Sequence, residues 1–313
     1  MKFRATKRPL AVVGFAALLV TIVLATQLST IGAALILHPP HKRVAVGPPP
    51  GCEKLTLRGH GVDLEAWRGG AVGKRRGTLL YLHGVADNRA SCAGVIERFR
   101  QRGFDVLAFD SRAHGDSGGE ACTYGFYEKE DLRRVLDTLA PGAIVLVGSS
   151  LGGAVALQLA ASDARVSAVV AAESFSDLRT VARERAPFFF TTRAIDRAFQ
   201  IAEQKGHFQL DAVSPASAAR DITAPVLLVH GAADTDTPPE HARLIFAALS
   251  GPKRLILVPG ARHNHSLSGD DIWSEIERWI DEVLAARQEA AQRQPLRELS
   301  VRRVLVARLT LHS

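Results

Sequence analysis

The sequence predicts an α/β fold, a mostly parallel β-sheet with helices on both faces. Three observations predict it. From residue 53 onward, short apolar runs alternate with amphipathic segments, which is the pattern of strands joined by helical crossovers. The later runs are continuous and rich in Val, Ile and Leu, as strands covered on both faces read. The 313 residues are 47% hydrophobic and 23% charged, an ordinary globular balance with enough chain for a sizeable core.

The elements follow in chain order. Residues 1–9 form a basic flank carrying Lys2, Arg4, Lys7 and Arg8. Residues 10–26 have no charge, and apolar character resumes to residue 37. A stretch of this length can span a bilayer core of roughly 30 Å. With basic residues directly before it, 10–37 reads as a transmembrane signal anchor. A cleaved signal peptide and a buried N-terminal helix are the alternatives. The anchor would make the chain a single-pass membrane protein with its folded domain on the extracytoplasmic side. Residues 38–52 are Pro-rich and read as a stiff, extended linker.

In the domain over 53–286, strands are expected at 54–57, 62–67, 78–83, 106–110, 144–148, 166–172, 226–230 and 255–258. The first two are close together and form a hairpin. Helices are expected at 91–102, 127–140, 151–162, 239–249 and 270–286. The segment 178–221 breaks the alternation and reads as a small helical cap. Its Phe188, Phe189 and Phe190 either line an apolar cleft or pack the cap onto the domain. The basic tail 287–313 is either a terminal amphipathic helix or a disordered end.

Charge excludes one class of function. The net charge is +7, but the two ends carry +10 and residues 44–286 about −3. A nucleic-acid binder needs a basic face on its folded part, and this domain has no basic excess. The three cysteines, Cys52, Cys92 and Cys122, permit one internal pair. In an exported protein Cys92–Cys122 is a plausible disulfide, with three unrelated thiols as the alternative. No clustered Cys/His spacing suggests zinc.

The chemistry is concentrated at a few strand ends. Residues 144–153 read IVLVGSSLGG, an apolar strand entering G-x-S-x-G and then a small-residue helix. Such a turn forces its central residue, Ser150, into a strained conformation with the hydroxyl exposed, and Gly148 and Gly152 make room for it. The helix N-terminus presents free N–H groups where negative charge develops in acyl transfer.

On these residues the chain resembles the α/β-hydrolase family over about 53–286. Within it the sequence is similar to prolyl-aminopeptidase-like serine hydrolases and to membrane-anchored, small-cap esterases. The resemblance implies an eight-stranded, mainly parallel sheet and a triad in the order Ser, Asp, His. The acid maps to Asp234 in HGAADTDTP, with Asp236 as competitor. The base maps to His263 in GARH, with His265 as runner-up. The residue after His83-Gly84 supplies one oxyanion N–H, so that role maps to Val85, and the other to Leu151. Asp110 and Arg112, in DSRAHGDSGG, are expected to pair and brace the loops around the nucleophile. The resemblance therefore implies a serine hydrolase for an acyl ester, thioester or amide, acting on a small acyl substrate or short peptide, with no cofactor or metal. An acyltransferase using the same triad and a non-catalytic interaction module are the alternatives.

Overall fold

The computed structural model describes residues 26–309. Its eight strands are β1 (Cys52–Arg58), β2 (Asp63–Gly69), β3 (Gly77–Leu82), β4 (Phe104–Phe109), β5 (Ala143–Ser149), β6 (Val166–Ala172), β7 (Val226–Gly231) and β8 (Lys253–Val258). They form one sheet in the order β1-β2-β4-β3-β5-β6-β7-β8. The β1–β2 hairpin and the β2–β4 pair are antiparallel, and every other pair is parallel. The central strands β3, β5, β6 and β7 are buried along almost their whole length. That burial is why they read as unbroken apolar runs rather than as alternation.

The helices divide between the two faces. A helix whose described part covers 26–37 is α1. It is followed by α2 (Ala93–Arg100), α3 (Glu128–Leu136), α4 (Leu151–Ala160), α5 (Leu178–Glu184), α6 (Thr192–Gly206), α7 (Pro215–Ala219), α8 (Glu240–Ala248) and α9 (Asp270–Leu309). Leu132 and Val135 of α3, α4 and Ile245 of α8 pack on one face with Leu80, Leu146 and Leu228. Ile96 and Phe99 of α2 pack on the other with Ile276, Trp279 and Ile280 of α9. Each such side chain contributes about 1.5–3 kcal/mol by leaving water. α9 runs well past residue 286, so the start of the basic tail continues a helix rather than a loose end.

The cap is α5, α6, a 3-10 turn at Leu210–Ala212 and α7. It has its own small core of Phe175, Leu178, Val181, Phe199, Phe208 and Leu210. Ala33 and Leu37 of α1 are buried in that core.

Two expectations need correcting, the second half of the anchor and the disulfide. Residues 10–25 of the expected anchor lie outside the described residues. Its remainder, 26–37, packs on the cap through Ala33 and Leu37, and the Leu37 carbonyl accepts from Cys122 N, in the loop after β4, at 2.9 Å. Among the described residues no helix is long and apolar enough to cross a membrane. The linker touches the domain at two points. His41 Nε2 lies 2.5 Å from the Gly115 carbonyl, and Asn88 Nδ2 donates to Lys42 O at 3.0 Å. Finally, Cys92 and Cys122 are both free thiols. They occupy opposite faces of the sheet, Cys92 beside Phe99 and Trp67 and Cys122 beside Leu132 and Phe109. The loops that carry them reach the same sheet edge but turn inward on different sides.

Candidate active site

The site is assembled at the carboxyl ends of β3, β5, β6, β7 and β8. At the end of β5 the chain turns sharply into α4, and Ser150 sits in the turn at φ 50°, ψ −110°. A side chain at φ > 0 is strained. Packing holds it there: the Ser150 N–H donates to Ala172 O at 2.8 Å, and two glycines close the turn. A Cβ on Gly148 would lie 2.3 Å from Gly152 C, and one on Gly152 would lie 2.0 Å from Leu82 O. No other residue fits either place.

Residues 113 and 84 apart from Ser150 in sequence meet it in space. His263 Nε2 is 3.2 Å from Ser150 Oγ, and His263 Nδ1 is 2.7 Å from Asp234 Oδ2. Ser150 and Asp234 are buried and the imidazole is only slightly exposed. Burial pushes the Asp234 carboxyl up. Hydrogen bonds from His230, His263 and the Thr237 N–H outweigh it and hold the group well below the usual carboxylate range. Oδ1 accepts from the N–H groups of Asp236 and Thr237, both at 2.9 Å. The buried His230 lies beneath, its Nε2 2.8 Å from Thr237 O and 3.4 Å from Asp234 Oδ2. A carboxylate so fixed presents one oxygen to His263, which sets the tautomer with hydrogen on Nδ1 and a free lone pair on Nε2 toward the serine.

The competing candidates are elsewhere. Asp236 is exposed and meets Asp234 through its backbone N–H. His265 is exposed, with Nδ1 2.8 Å from His263 O. Val85 follows Gly84, where an added Cβ would stand 3.6 Å from Ser150 Cβ, so the chain carrying Val85 passes close to Ser150. Leu151 is the first residue of α4, and an N–H at that position has no partner within its helix.

Asp110 and Arg112 do not pair. Buried Asp110 instead binds buried Arg89, whose Nη2 also reaches Asp116 at 2.9 Å. Arg112 binds Asp131 at 2.7 Å. The pairing was misread because the 3-10 turn at Arg89–Cys92 brings a guanidinium from a different loop to Asp110.

Sequence reasoning also missed Glu173, just past β6. It sits at φ 52° and is buried. Its carboxylate accepts from the N–H groups of Asn264 at 2.6 Å, His265 at 3.0 Å and Ser266 at 2.8 Å. The loop carrying His263 is thus held by a carboxylate from a neighbouring strand. The available signal was a lone acid closing the apolar run VSAVVAA. A second Ser–His–carboxylate row exists: Ser176 Oγ is 2.8 Å from His241 Nδ1, and His241 Nε2 is 2.7 Å from Glu184 Oε2. Ser176 is sealed in the protein interior, so this row braces the cap helix α5 against α8 and offers no nucleophile to a ligand.

Among the described residues no group of acidic, His or Cys side chains is arranged to hold a metal. Two cavities flank the site, and Val85 borders both. One, of about 760 Å³, is polar, with Lys42, Asp87, Arg98 and Glu173 on its walls. The other, of about 270 Å³, is apolar and lies between α1 and the cap.

Comparison with known proteins agrees with this architecture. Residues 77–210 match the family model described as the alpha/beta hydrolase fold. The chain is similar to the uncharacterized protein YqkD of Bacillus subtilis, 30% identical over 196 residues, and the match covers 59% of this chain and 64% of YqkD. It thus spans just under two thirds of that relative's length. It is also 28% identical over 237 residues to 2-(acetamidomethylene)succinate hydrolase of Mesorhizobium japonicum, covering 59% and 81% of the two chains. Among solved structures, the Pyrococcus furiosus esterase Pf2001 superimposes with a TM-score of 0.62 at 23% identity, covering 79% of this chain and 98% of the esterase.

Proposed function

We propose that the chain, whose residues 77–210 match the alpha/beta hydrolase fold model, is a serine hydrolase of that family that cleaves acyl esters, thioesters or amides through Ser150, His263 and Asp234. One observation carries the reading. A single imidazole bridges the strained serine hydroxyl and a buried carboxylate, at 3.2 and 2.7 Å. A serine hydroxyl is a weak nucleophile at neutral pH unless a base stands within hydrogen-bond reach. The names of two similar proteins, an esterase and a hydrolase, point the same way.

In the proposed reaction Ser150 Oγ attacks the acyl carbonyl carbon while His263 Nε2 takes its proton. The resulting oxyanion is held by the N–H groups of Val85 and Leu151. Asp234 keeps the imidazolium oriented and stabilises its charge. Collapse breaks the bond to the leaving group, which receives the proton from His263. Water then repeats the sequence on the acyl-enzyme, releasing the acid and restoring Ser150.

The test is turnover of p-nitrophenyl butyrate together with labelling by a fluorophosphonate. Ser150→Ala should lower kcat by at least about a thousandfold and abolish labelling. Full turnover in that variant would remove Ser150 from the chemistry.

We also propose that the charge-free run 10–26, preceded by four basic residues, tethers the domain to a membrane, with the domain on the extracytoplasmic side. Seventeen uncharged, mostly apolar residues are at the short end of a spanning length. Release of the full chain from membranes by alkaline carbonate would refute the tether.

A further inference from the structure

We propose that the apolar cavity between α1 and the cap is the acyl-chain subsite of this enzyme, and that α1 sets the length of chain accepted. The inference rests on the serine-hydrolase reading and names its substrate class: esters of medium-length, unbranched acyl chains.

The position of the cavity is the first argument. Val85, which follows the Gly84 packed near Ser150, lines it together with two walls. Leu178, Val181 and Ala182 of α5 form one wall, and Gly32, Leu35 and Ile36 of α1 form another. An acyl group whose carbonyl lay at Ser150 would reach these walls past Val85.

The lining is the second argument. Arg185 is the one charged side chain among the lining residues. Its guanidinium is engaged by Asp236 O at 2.8 Å and by the Thr237 hydroxyl. Apart from Tyr124 and this arginine the lining side chains are apolar, so a polar ligand would leave water with little compensation. The third argument is size. A water molecule's share of liquid is about 30 Å³ and a methylene is similar, so about 270 Å³ suits roughly eight or nine carbons.

α1 is a built wall, not a strand of chain lying over a hole. A Cβ on Gly32 would come within 3.0 Å of both Ala198 Cβ and Phe190, and one on Gly206 would meet Leu37 at 2.8 Å. The helix is seated closely enough for its side chains to set the cavity's depth. Leu35 lines the cavity while remaining 61% exposed, so the cavity's open side presents an apolar side chain to solvent.

The experiment uses the full chain and p-nitrophenyl esters from acetate to dodecanoate. In parallel, dioctanoylglycerol is offered in dioleoylphosphatidylcholine vesicles. Octanoate binding by calorimetry reads the cavity without turnover. Ile36→Trp fills the cavity from α1 and Ala182→Trp from the cap. In the wild type kcat/KM should rise about fourfold per methylene, as burial of each CH₂ implies, up to about eight or nine carbons. In both filled variants the octanoate-to-acetate ratio should fall at least tenfold and octanoate binding should weaken. Should either filled variant fail to fold, Ile36→Ala decides, by moving the optimum to longer chains. An equal loss with vesicles assigns a lipid-borne acyl group, and a loss with monomeric esters alone assigns a soluble one. A chain that hydrolyses acetate yet keeps an unchanged ratio in every variant overturns the subsite and leaves the hydrolase reading standing. A chain that takes no fluorophosphonate but binds octanoate, and loses it in the filled variants, overturns the hydrolase reading and keeps the acyl site.

Discussion

At the scale of single residues, Glu173 shows how the geometry of the site is maintained. A buried carboxylate is costly unless its oxygens are satisfied, and here three consecutive backbone N–H groups, from Asn264 to Ser266, satisfy it. Those groups directly follow His263, so Glu173 sets where the imidazole stands without touching the reacting atoms. Glu173→Gln replaces one accepting oxygen by an NH₂ that cannot accept. It should lower kcat roughly tenfold to a hundredfold, the scale of a small misplacement of a reacting group, with KM little changed. Steady-state kinetics on a short ester separate the two. A rise in KM with unchanged kcat would assign Glu173 to substrate binding instead, since it also borders the polar cavity.

At the scale of elements, the loops after β3 and β4 are locked by a buried ion pair. Asp110 accepts from Arg89 N at 2.6 Å and Asp116 N at 2.7 Å, and it binds the Arg89 guanidinium. Burial pushes the Asp110 carboxyl up despite those bonds, the signature of a charge that depends on its partner. Removing one member of such a pair costs about 3–5 kcal/mol. Arg89→Met should therefore lower the urea midpoint strongly, and Arg89→Met with Asp110→Asn should recover part of the loss. If the double variant is less stable than Arg89→Met alone, the cost lies in lost packing against Trp67, over whose ring Arg89 sits at 5.4 Å. The alternation of strand and helix was legible in the sequence because each element buries its own periodic face. The partner of Asp110 was not, because a pair 21 residues apart leaves no local signal. The same limit applies to the proposed Cys92–Cys122 bridge: residues at one sheet edge can still turn to opposite faces.

At the scale of the whole molecule, stability should depend on two histidines buried near the site. His83 and His114 have ring centroids 5.3 Å apart. Ser111 N donates to His83 Nε2, and His83 Nδ1 lies 2.7 Å from Gly84 O, so the ring is neutral. Burial lowers both, His114 to about 4, with neighbouring His83 adding to the effect there. An unfolded chain binds these protons below about pH 6.5, while native His114 does not until about pH 4. The unfolded state therefore holds more protons across that window, and stability falls as pH drops through it. For His114 alone the loss approaches about 3 kcal/mol. Urea midpoints between pH 7.5 and 4.5 should show the decline, and His114→Asn should flatten it. Parallel slopes in the wild type and the variant would locate the acid sensitivity elsewhere.

The sequence by itself determined the sheet-and-helix alternation, the strained turn at Ser150 and the chain order of Ser150, Asp234 and His263. Each is written in a short stretch: an apolar run, two glycines where a Cβ cannot fit, a strand followed by a polar loop. Only the tertiary structure decided what those stretches meet. It brought His263 between Ser150 and Asp234, gave the His263 loop its anchor in Glu173, and laid residues 26–37 on the cap as the wall of an apolar cavity. Apolar composition alone cannot separate a helix destined for lipid from one that closes a protein core, because both remove the same surface from water. Which surface covers Ala33 and Leu37 is settled by residues about 165 positions away.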